Sequence, residues 1–571
     1  MKNQEIAKIF FNISSLLETK EKDFRPIAYR RAALSLESFE EDVDEIYLDK
    51  GIKGLEEIPG IGKSLALKIE EYLKKGKIET YEKLKKKLPI DLGEITRIEG
   101  MGPRKAKMLY YKLGIKSVKD LERAAKVGKI APIFGFGEKT EKNILQGIEF
   151  LKIDKGRFLL GFIMPTVDEI VSILSSLKEV KKISIAGSTR RRKETIGDVD
   201  ILVSSDKPEK VMQFFVSLPD ILKVWATGPT KASVRLKAGF DVDIRVVKDE
   251  SFGAALQYFT GSKEHNVATR KIAMYKGLKL NEYGVFKGDK RIAGKTEEEV
   301  YKALGLAYIE PELREDEGEI QLARDNKLPK LVGYKDIKGD LHCHCDWDGG
   351  EDSIEQMAKY AIGLGYEYIG ISDHTKFLRI ENGLNEKQLL KQNEAIKKIN
   401  KKLGGKFRIL HGCETNILND GSVDIKDEVL AKLDYVIAGV HSSMKMKEKE
   451  MTERVIKTMR NKNIDIISHP TGRLIQRRDE YQINIEKMLE IAKETSTILE
   501  INSWPERLDL KDIYVRMAKQ KGVKMIINTD AHEKSQMKLI EFGISQARRG
   551  WAEKSDIVNT NSVEKLLKYF K

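Results

Sequence analysis

Two carboxylates one residue apart, Asp198 and Asp200, follow the pair Gly187-Ser188 by about ten residues. The run Gly197-Asp198-Val199-Asp200-Ile201-Leu202-Val203 reads as a strand. Side chains alternate along a strand, so the two carboxylates share one face while Val199 turns away. Beside a Gly-Ser turn and the basic run Arg190-Arg191-Arg192-Lys193, such a pair would hold divalent cations next to a triphosphate. A third carboxylate is needed to place a metal at an attacking hydroxyl. Phe240-Asp241-Val242-Asp243-Ile244-Arg245 supplies one on another strand, and spacing alone leaves Asp241 and Asp243 both open. The chemistry expected is two-metal phosphoryl transfer, against the plainer reading of aspartates that merely end a strand.

A second constellation lies further along. Seven of the eight histidines fall after residue 340, His265 being the exception. In Gly339-Asp340-Leu341-His342-Cys343-His344-Cys345 the two imidazoles share one face of an extended segment and form half a metal site. Polar clusters then recur at the ends of apolar runs: Asp373-His374, His411-Gly412-Cys413-Glu414, His441, His469, and Asp530-Ala531-His532. Helical stretches separate most of these runs. Repeated strand–helix units with polar residues at the strand C-termini predict a parallel α/β barrel with its site on that face. So many imidazole and carboxylate donors would hold two or three divalent metals, with Mn, Zn or Fe favoured over Ca or Mg. Metals there would hydrolyse a phosphoester. Cys343, Cys345 and Cys413 are too few for a disulfide framework, and Cys343 and Cys345 read as small buried hydrophobes.

A third pattern opens the chain. Ile58-Pro59-Gly60-Ile61-Gly62-Lys63 and Ile98-Glu99-Gly100-Met101-Gly102-Pro103-Arg104-Lys105 are both apolar-x-Gly-apolar-Gly turns leading into a helix with basic residues in its first turn. Backbone N–H groups at such a helix start, reinforced by the dipole and a nearby cation, suit a phosphate oxygen. Two copies about forty residues apart point to a nucleic-acid backbone held without sequence readout. Phe134-Gly135-Phe136-Gly137 reads as a degenerate, structural third copy.

The elements that must carry these groups are bounded by length and composition. At roughly 150 residues per domain, 571 residues make about four structural units. With 41% hydrophobic and 34% charged residues the chain reads as globular and soluble, and it lacks the ~18 uninterrupted apolar residues of a membrane span. No secretory signal is read at the N-terminus. The net charge of +14 divides into +10 before residue 331 and +4 after it, which places a polyanion partner on the front part.

The two glycine turns resemble helix–hairpin–helix motifs. Together with Tyr258-Phe259-Thr260-Gly261-Ser262, Asn266, Arg270 and Asn281-Glu282-Tyr283, they make residues 1–317 resemble a family X DNA polymerase. The resemblance implies that Asp198, Asp200 and Asp243 carry the catalytic metals, Mg2+ or Mn2+. By it, Gly187, Ser188 and Arg191 would bind the triphosphate, and Tyr258, Phe259 and Gly261 would flank the sugar of a dNTP. Asn266 would meet the minor-groove edge of the new pair, and Arg245 would bridge the acidic cluster. Arg270 would contact the template, while Gly60, Gly62, Lys63, Gly100, Gly102, Arg104 and Lys105 would grip gapped or nicked double-stranded DNA. Lys68 matches a lyase nucleophile, although Ser64 stands where a supporting lysine is usual. Phe162-Ile163-Met164-Pro165 lacks an arginine that several relatives place there for the triphosphate.

Residues from about 335 onward resemble the PHP (polymerase and histidinol phosphatase) metal domain. The ligands implied are His342, His344, His374, Glu414, His441, His469, Asp530 and His532. Asp348 is a ninth, one residue earlier than the family spacing, in Asp346-Trp347-Asp348-Gly349-Gly350. Leu378-Arg379-Ile380 and Arg507-Leu508-Asp509-Leu510 resemble the version of this domain fused to such polymerases.

The expected architecture is multidomain. A helical N-terminal, lyase-like domain with the first hairpin covers 1–85, and a fingers-like helical domain with the second covers 86–150. An α+β nucleotidyltransferase palm spans 151–250, a thumb 251–317 and a linker 318–335. A distorted parallel α/β, TIM-like barrel of the PHP type fills 336–571. The expected function is templated gap filling in base excision repair, with a phosphoesterase acting on DNA as a 3′-5′ exonuclease or abasic-site endonuclease. A cytoplasmic, prokaryotic, nucleoid-associated monomer is expected. Two rivals are a template-independent nucleotidyltransferase with an accessory phosphatase, and a DNA-gap scaffold without chemistry. The paired hairpins argue against the first and the intact carboxylates against the second.

Overall fold

The computed structural model describes residues 2–570 apart from 18–24, 39–41, 91, 96–97, 99–100, 134, 138–139, 142–143, 146–147 and 149–155. It divides into two compact units, Met1–Gly156 and Arg157–Lys571.

The first unit is helical. Leu65, Ala66 and Ile69 bury one face of the helix Lys63–Lys75, and Ala106 and Leu109 one face of Pro103–Leu113, with Ile58, Ile61, Ile98 and Met101 buried in the turns that precede them. Within each helix the buried residues recur three or four apart, the apolar stripe of an amphipathic helix. Both helices end on a left-handed glycine, Gly76 and Gly114, as αL caps require.

The second unit begins with a five-stranded sheet. Its strands are β1 (Lys182–Ile185), β2 (Asp198–Ser204), β3 (Ile221–Thr227), β4 (Lys231–Leu236) and β5 (Asp241–Val247). They lie in the order β1-β2-β5-β4-β3, and only β2 and β5 are parallel. Val199, Ile201 and Val203 point to a core under the helices Leu160–Ser175 and Pro208–Val216. Leu202 faces the opposite side with Ala186 and the helix Phe252–Thr260, so the period-2 reading of this strand is observed. A helical and antiparallel lobe, 252–303, follows. It is tied back by Arg190, which donates to Glu297 at 2.8 and 2.6 Å, and by the fully buried Arg314, which donates to the same carboxylate at 2.6 Å.

The stretch read as a linker is packed structure. Helix Glu319–Arg324 buries Glu319, which pairs with His265 at 2.7 Å and accepts the Asp316 and Glu317 N–H groups. Val332 enters the barrel core. Acids just before this stretch have distant partners: Glu315 meets Arg191, Lys193 and Arg549, and Glu317 meets Arg516.

The barrel strands are β6 (Gly339–Cys343), β7 (Tyr368–Ile371), β8 (Arg408–His411), β9 (Glu414–Asn416), β10 (Ile437–Gly439), β11 (Ile466–Ile467), β12 (Ile498–Asn502) and β13 (Met525–Asn528). All pairings are parallel, in the runs β6-β7-β8 and β9-β10-β11-β12-β13. A bridge between His374 and Glu414 joins the two runs, and one between Cys343 and Ala531 closes the ring. Leu341, Leu410, Ile437, Ile466, Ile498 and Ile526 form one buried cluster with Tyr368 and Tyr435. The Tyr435 ring leaves no room for a Cβ at Gly370 or Gly412.

Barrel and sheet are not separate bodies. Leu508 and Phe542 of the barrel belong to the same apolar cluster as Leu160, Ile163 and Met164. Gly161 lies so close to Pro505 that a Cβ would stand 2.4 Å from its ring.

Candidate active sites

Parallel register places Asp198 opposite Asp241 and Asp200 opposite Asp243 at the N-terminal ends of β2 and β5. The structure separates the two candidates on β5. Asp241 accepts from Arg235 Nη2 at 2.8 Å and from the Trp225 indole at 2.9 Å, so its charge is spent. Asp243 meets only Lys231, at 3.1 Å, among the ion pairs described for it. Burial, with the charges of Asp198 and Asp243 added, pushes the Asp200 carboxyl up to about 8. Asp198 is raised too, by burial and by Asp243 and Asp241. Carboxylates that resist ionising beside one another are relieved by a cation, so the group fits divalent metal.

Gly187, at φ +61°, opens the short turn Gly187–Arg190, and a Cβ there would stand 2.1 Å from Asp200 Oδ2. Only glycine lets the turn approach that carboxylate. Ser188 is half-buried on the same turn. Arg191 donates to the Thr260 carbonyl and, at 3.2 Å, to Glu315. Gly261, at φ +68°, lies under its guanidinium. Tyr258 and Phe259 pack edge to face, with centroids 5.1 Å apart. Asn266 accepts from Gln257 at 2.8 Å and donates to the Tyr258 carbonyl at 2.7 Å, while Arg270 donates to the Asn266 carbonyl at 3.3 Å. Arg245 does not bridge the carboxylates. Its guanidinium lies 4.6 Å from the Phe259 ring centroid, and Lys231 makes the ion pair instead.

In the barrel, strand ends bring the histidines around one buried carboxylate. Glu414 Oε2 lies 3.5 Å from His342 Nε2, 4.0 Å from His344 Nε2 and 3.2 Å from His374 Nε2. Its Oε1 lies 3.3 Å from His441 Nε2 and 3.0 Å from His469 Nε2. Asp530 Oδ1 stands 3.6 and 3.4 Å from the Nε2 atoms of His342 and His344. The His532 ring stacks on His344 at 4.2 Å. Four overlapping donor sets result: His344, His374 and His532; His342, His344 and Asp530; His374, Glu414 and His441; and His344, Asp348 and Asp373. Two residues of this cluster, His469 at φ +28° and Asp530 at +59°, hold conformations that non-glycine residues keep only under constraint.

The donor chemistry fits metal. The Nε2 atoms of His342 and His344 are buried without a hydrogen-bond partner. Glu500 holds the Nδ1 of His342 at 2.7 Å and Asp348 that of His344 at 2.8 Å, which leaves each Nε2 lone pair to the centre. Burial opposes charge on His344, yet Asp348 outweighs it and pushes the imidazole up to about 10. Burial likewise opposes the charge on Glu414 and Asp530, but the histidines hold both well below the usual carboxylate range.

Comparison with known proteins follows these sites along the chain. Residues 1–78 match a helix-hairpin-helix domain, 92–149 a SAM-like helix-hairpin-helix tandem, 255–315 the DNA polymerase beta thumb and 340–504 the PHP domain. The chain is 37% identical over 576 residues to the DNA polymerase/3'-5' exonuclease PolX of Bacillus subtilis, covering 100% of both. The chain belongs to the PolX family of DNA polymerases. Its two halves also match separately. DNA polymerase lambda of Rattus norvegicus is 26% identical over 51% of this chain and 52% of its own length. A probable phosphatase of Acetivibrio thermocellus is 29% identical over 41% of this chain and 94% of its own.

Within this PolX frame, Gly62 and Gly102 N-cap their helices at φ −88° and −82°, without a side-chain cap. Neither has an atom within 4 Å of where a Cβ would stand, so the fold does not require glycine there. Gly60, at φ +81°, does need its freedom. Lys63 is exposed, Lys105 lies over the Phe136 ring at 5.2 Å, and Lys68 Nζ donates to Ser64 Oγ at 3.4 Å. Gly100 and the Arg104 side chain lie outside the described residues, as do Phe134, Glu138 and Lys139.

Two residues of the barrel site, Glu500 and Gln392, escaped the reading from spacing. Glu500 stands in the middle of the apolar strand Ile498-Leu499-Glu500-Ile501-Asn502, and a lone acid there was the available signal. Asp373 accepts from Cys345 N at 2.7 Å, Cys345 Sγ at 2.8 Å and Gln392 Nε2 at 2.6 Å. Gln392 in turn accepts from His411 at 3.0 Å, and burial pulls that imidazole down to about 4, outside the ligand cluster. As placed, Asp348 Oδ2 accepts from the Nδ1 atoms of both His344 and His374.

Proposed function

We propose that this chain fills short gaps in DNA by templated nucleotide addition and trims or cuts DNA at a separate phosphoesterase site in the barrel. The observation that carries the polymerase reading is the register of β2 and β5, which sets Asp200 against Asp243 beside a glycine turn that only glycine can make. Asp198, Asp200 and Asp243 would hold Mg2+ or Mn2+. Such ions lower the barrier to phosphoryl transfer by stabilising charge on the attacking and leaving oxygens. The protein's own part is to fix the carboxylates and to present Ser188 and the Gly187 turn to the triphosphate. Arg191 would join them by exchanging its Glu315 and Thr260 contacts. Tyr258, Phe259 and Gly261 would border the sugar, Asn266 the base edge and Arg270 the template, while Lys63 and Lys105 would support the hairpin contacts with the duplex backbone.

In the barrel, His342, His344, His374, Glu414, His441, His469, Asp530 and His532 would hold two or three ions of Mn2+, Zn2+ or Fe2+. Asp348 and Glu500 would orient the imidazoles from behind. The substrate would be a 3′ end or an abasic site in DNA, giving a place in base excision repair. That reading is supported by the full-length likeness to a polymerase whose name includes 3′-5′ exonuclease. A cytoplasmic, monomeric protein completes the reading. No helix among the described residues is long and apolar enough to cross a membrane.

The test is primer extension on a one-nucleotide gapped duplex with a labelled primer, in Mg2+ and then Mn2+, with and without dNTPs. Filling with dNTPs and 3′ shortening without them is the expected result. Filling without shortening assigns the barrel to another phosphoester, and no filling in either metal returns the chain to the scaffold reading.

A further inference from the structure

One cation at the barrel site has no role in the reading above. Arg507 lies five residues beyond the end of β12, on the loop leaving the ligand-bearing face. Its Nε stands 3.7 Å from Asp530 Oδ2, beyond hydrogen-bond reach, and its Nη1 is buried with no hydrogen-bond partner. A guanidinium has five donors and no way to lose its charge, so a buried N–H left unmade is costly.

The neighbouring acids are already committed. Asp530 faces His342 and His344. Asp509 spends both oxygens on Thr471 and Gly472, accepting their N–H groups at 3.0 and 2.8 Å and the Thr471 hydroxyl at 2.9 Å. The other cation nearby, Arg478, donates to the Gly472 carbonyl at 2.9 Å, and its guanidinium is close enough to Arg507 for the two charges to disfavour each other. Two cations are therefore held together at the rim of a metal-type donor cluster, where Asp509 is taken up by Thr471 and Gly472 and Asp530, 3.7 Å from Arg507, is shared with His342 and His344. Arg507 is also held in place. Leu508 is buried in the core shared with the sheet, and its carbonyl accepts from Arg473, which pairs at 2.7 Å with Glu194.

We infer that Arg507 binds a non-bridging oxygen of the phosphodiester presented to the barrel site, making it a DNA-phosphate ligand of that site. The inference rests on the phosphoesterase reading of the barrel. It commits to a phosphate anion, since a planar fork with a free N–H is suited to tetrahedral oxyanions.

Arg507→Met removes the guanidinium and keeps the stem that packs beside Leu508. Inorganic phosphate titrated calorimetrically into the metal-loaded full chain is expected to bind at least about tenfold more weakly to the variant, the loss of one charge-assisted hydrogen bond. Shortening of a labelled single strand is expected to fall at least as far, with Arg507→Lys recovering part of both. Metal content by mass spectrometry and gap filling should stay at wild-type levels. A fall in metal content would overturn the inference by assigning Arg507 to Asp530. Phosphate binding that is undetectable in the wild type, or equal in wild type and variant, also overturns it. Should the wild type shorten no DNA, the phosphoesterase reading fails, while the phosphate titration still decides the role of Arg507.

Discussion

Glu500 accepts the Nδ1 proton of His342 at 2.7 Å from inside an otherwise apolar strand. Its other oxygen accepts the His469 N–H at 2.8 Å, so one carboxylate fixes two of the metal-type histidines. Glu500→Gln keeps the size of the group but loses the charge that holds the His342 tautomer. Metal affinity at the barrel should fall about 10- to 100-fold, read by competition with a chelating dye. Gap filling should be unaffected.

Independence of the two centres is the second expectation. Asp200→Ala should abolish nucleotide incorporation and leave shortening of a 3′ end intact, and His342→Ala should do the reverse. Loss of both activities in either variant, with circular dichroism unchanged, would refute two separate sites.

The raised Asp200 carboxyl gives a pH dependence. With its folded value at about 8 instead of the usual 3.8, the metal-free group carries a proton at neutral pH. Metal must displace that proton, so apparent Mg2+ affinity for gap filling should rise between pH 7 and 9 and level off above it. The rise should shrink when Mg2+ is saturating. A pH-independent requirement for Mg2+ would contradict it.

Glu297 yields a stability test. Burial pushes its carboxyl up, but Arg314 and Arg190 outweigh burial and hold it at about 2. A folded value below the unfolded one contributes stability that is present above pH 4.5 and lost as pH falls towards 2. Glu297→Gln leaves the fully buried Arg314 without its carboxylate, at a cost of about 3 kcal/mol or more. The melting temperature should drop by several degrees at pH 7, and the gap from wild type should narrow in acid.

At the hairpins, Gly62→Val and Gly102→Val meet open space and ordinary φ values. The fold should accept both, with melting temperature nearly unchanged. Covering first-turn N–H groups should nonetheless weaken binding to gapped DNA about tenfold and reduce its salt dependence, measured by fluorescence anisotropy.

Much of this was readable from spacing alone, because alternation along a strand needs no tertiary information. Asp198 and Asp200 share a face for that reason, and the histidines mark strand ends because apolar runs precede them. What escaped depended on partners distant in sequence. The choice of Asp243 over Asp241 turns on Arg235 and Trp225, which reach Asp241 from the adjacent strand β4 and from β3 beyond it. The resemblance assigns Arg245 to the carboxylates, but a ring fourteen residues further on takes it. The stretch 318–335, read as a linker, is instead packed, because Glu319 finds His265 some fifty residues upstream. Glu500 was hidden by the hydrophobicity around it.

The apolar cluster that joins Leu160 and Ile163 to Leu508 and Phe542 bears on how such a chain can be rearranged. Ending the chain near residue 317 would strip cover from a greasy face of the nucleotidyltransferase half, and cutting out the barrel would do the same from the other side. Neither half can be discarded as a cassette without new polar residues to replace the seam. A lineage that dispensed with the barrel would first have had to rewrite the outer surface of the helix containing Gly161.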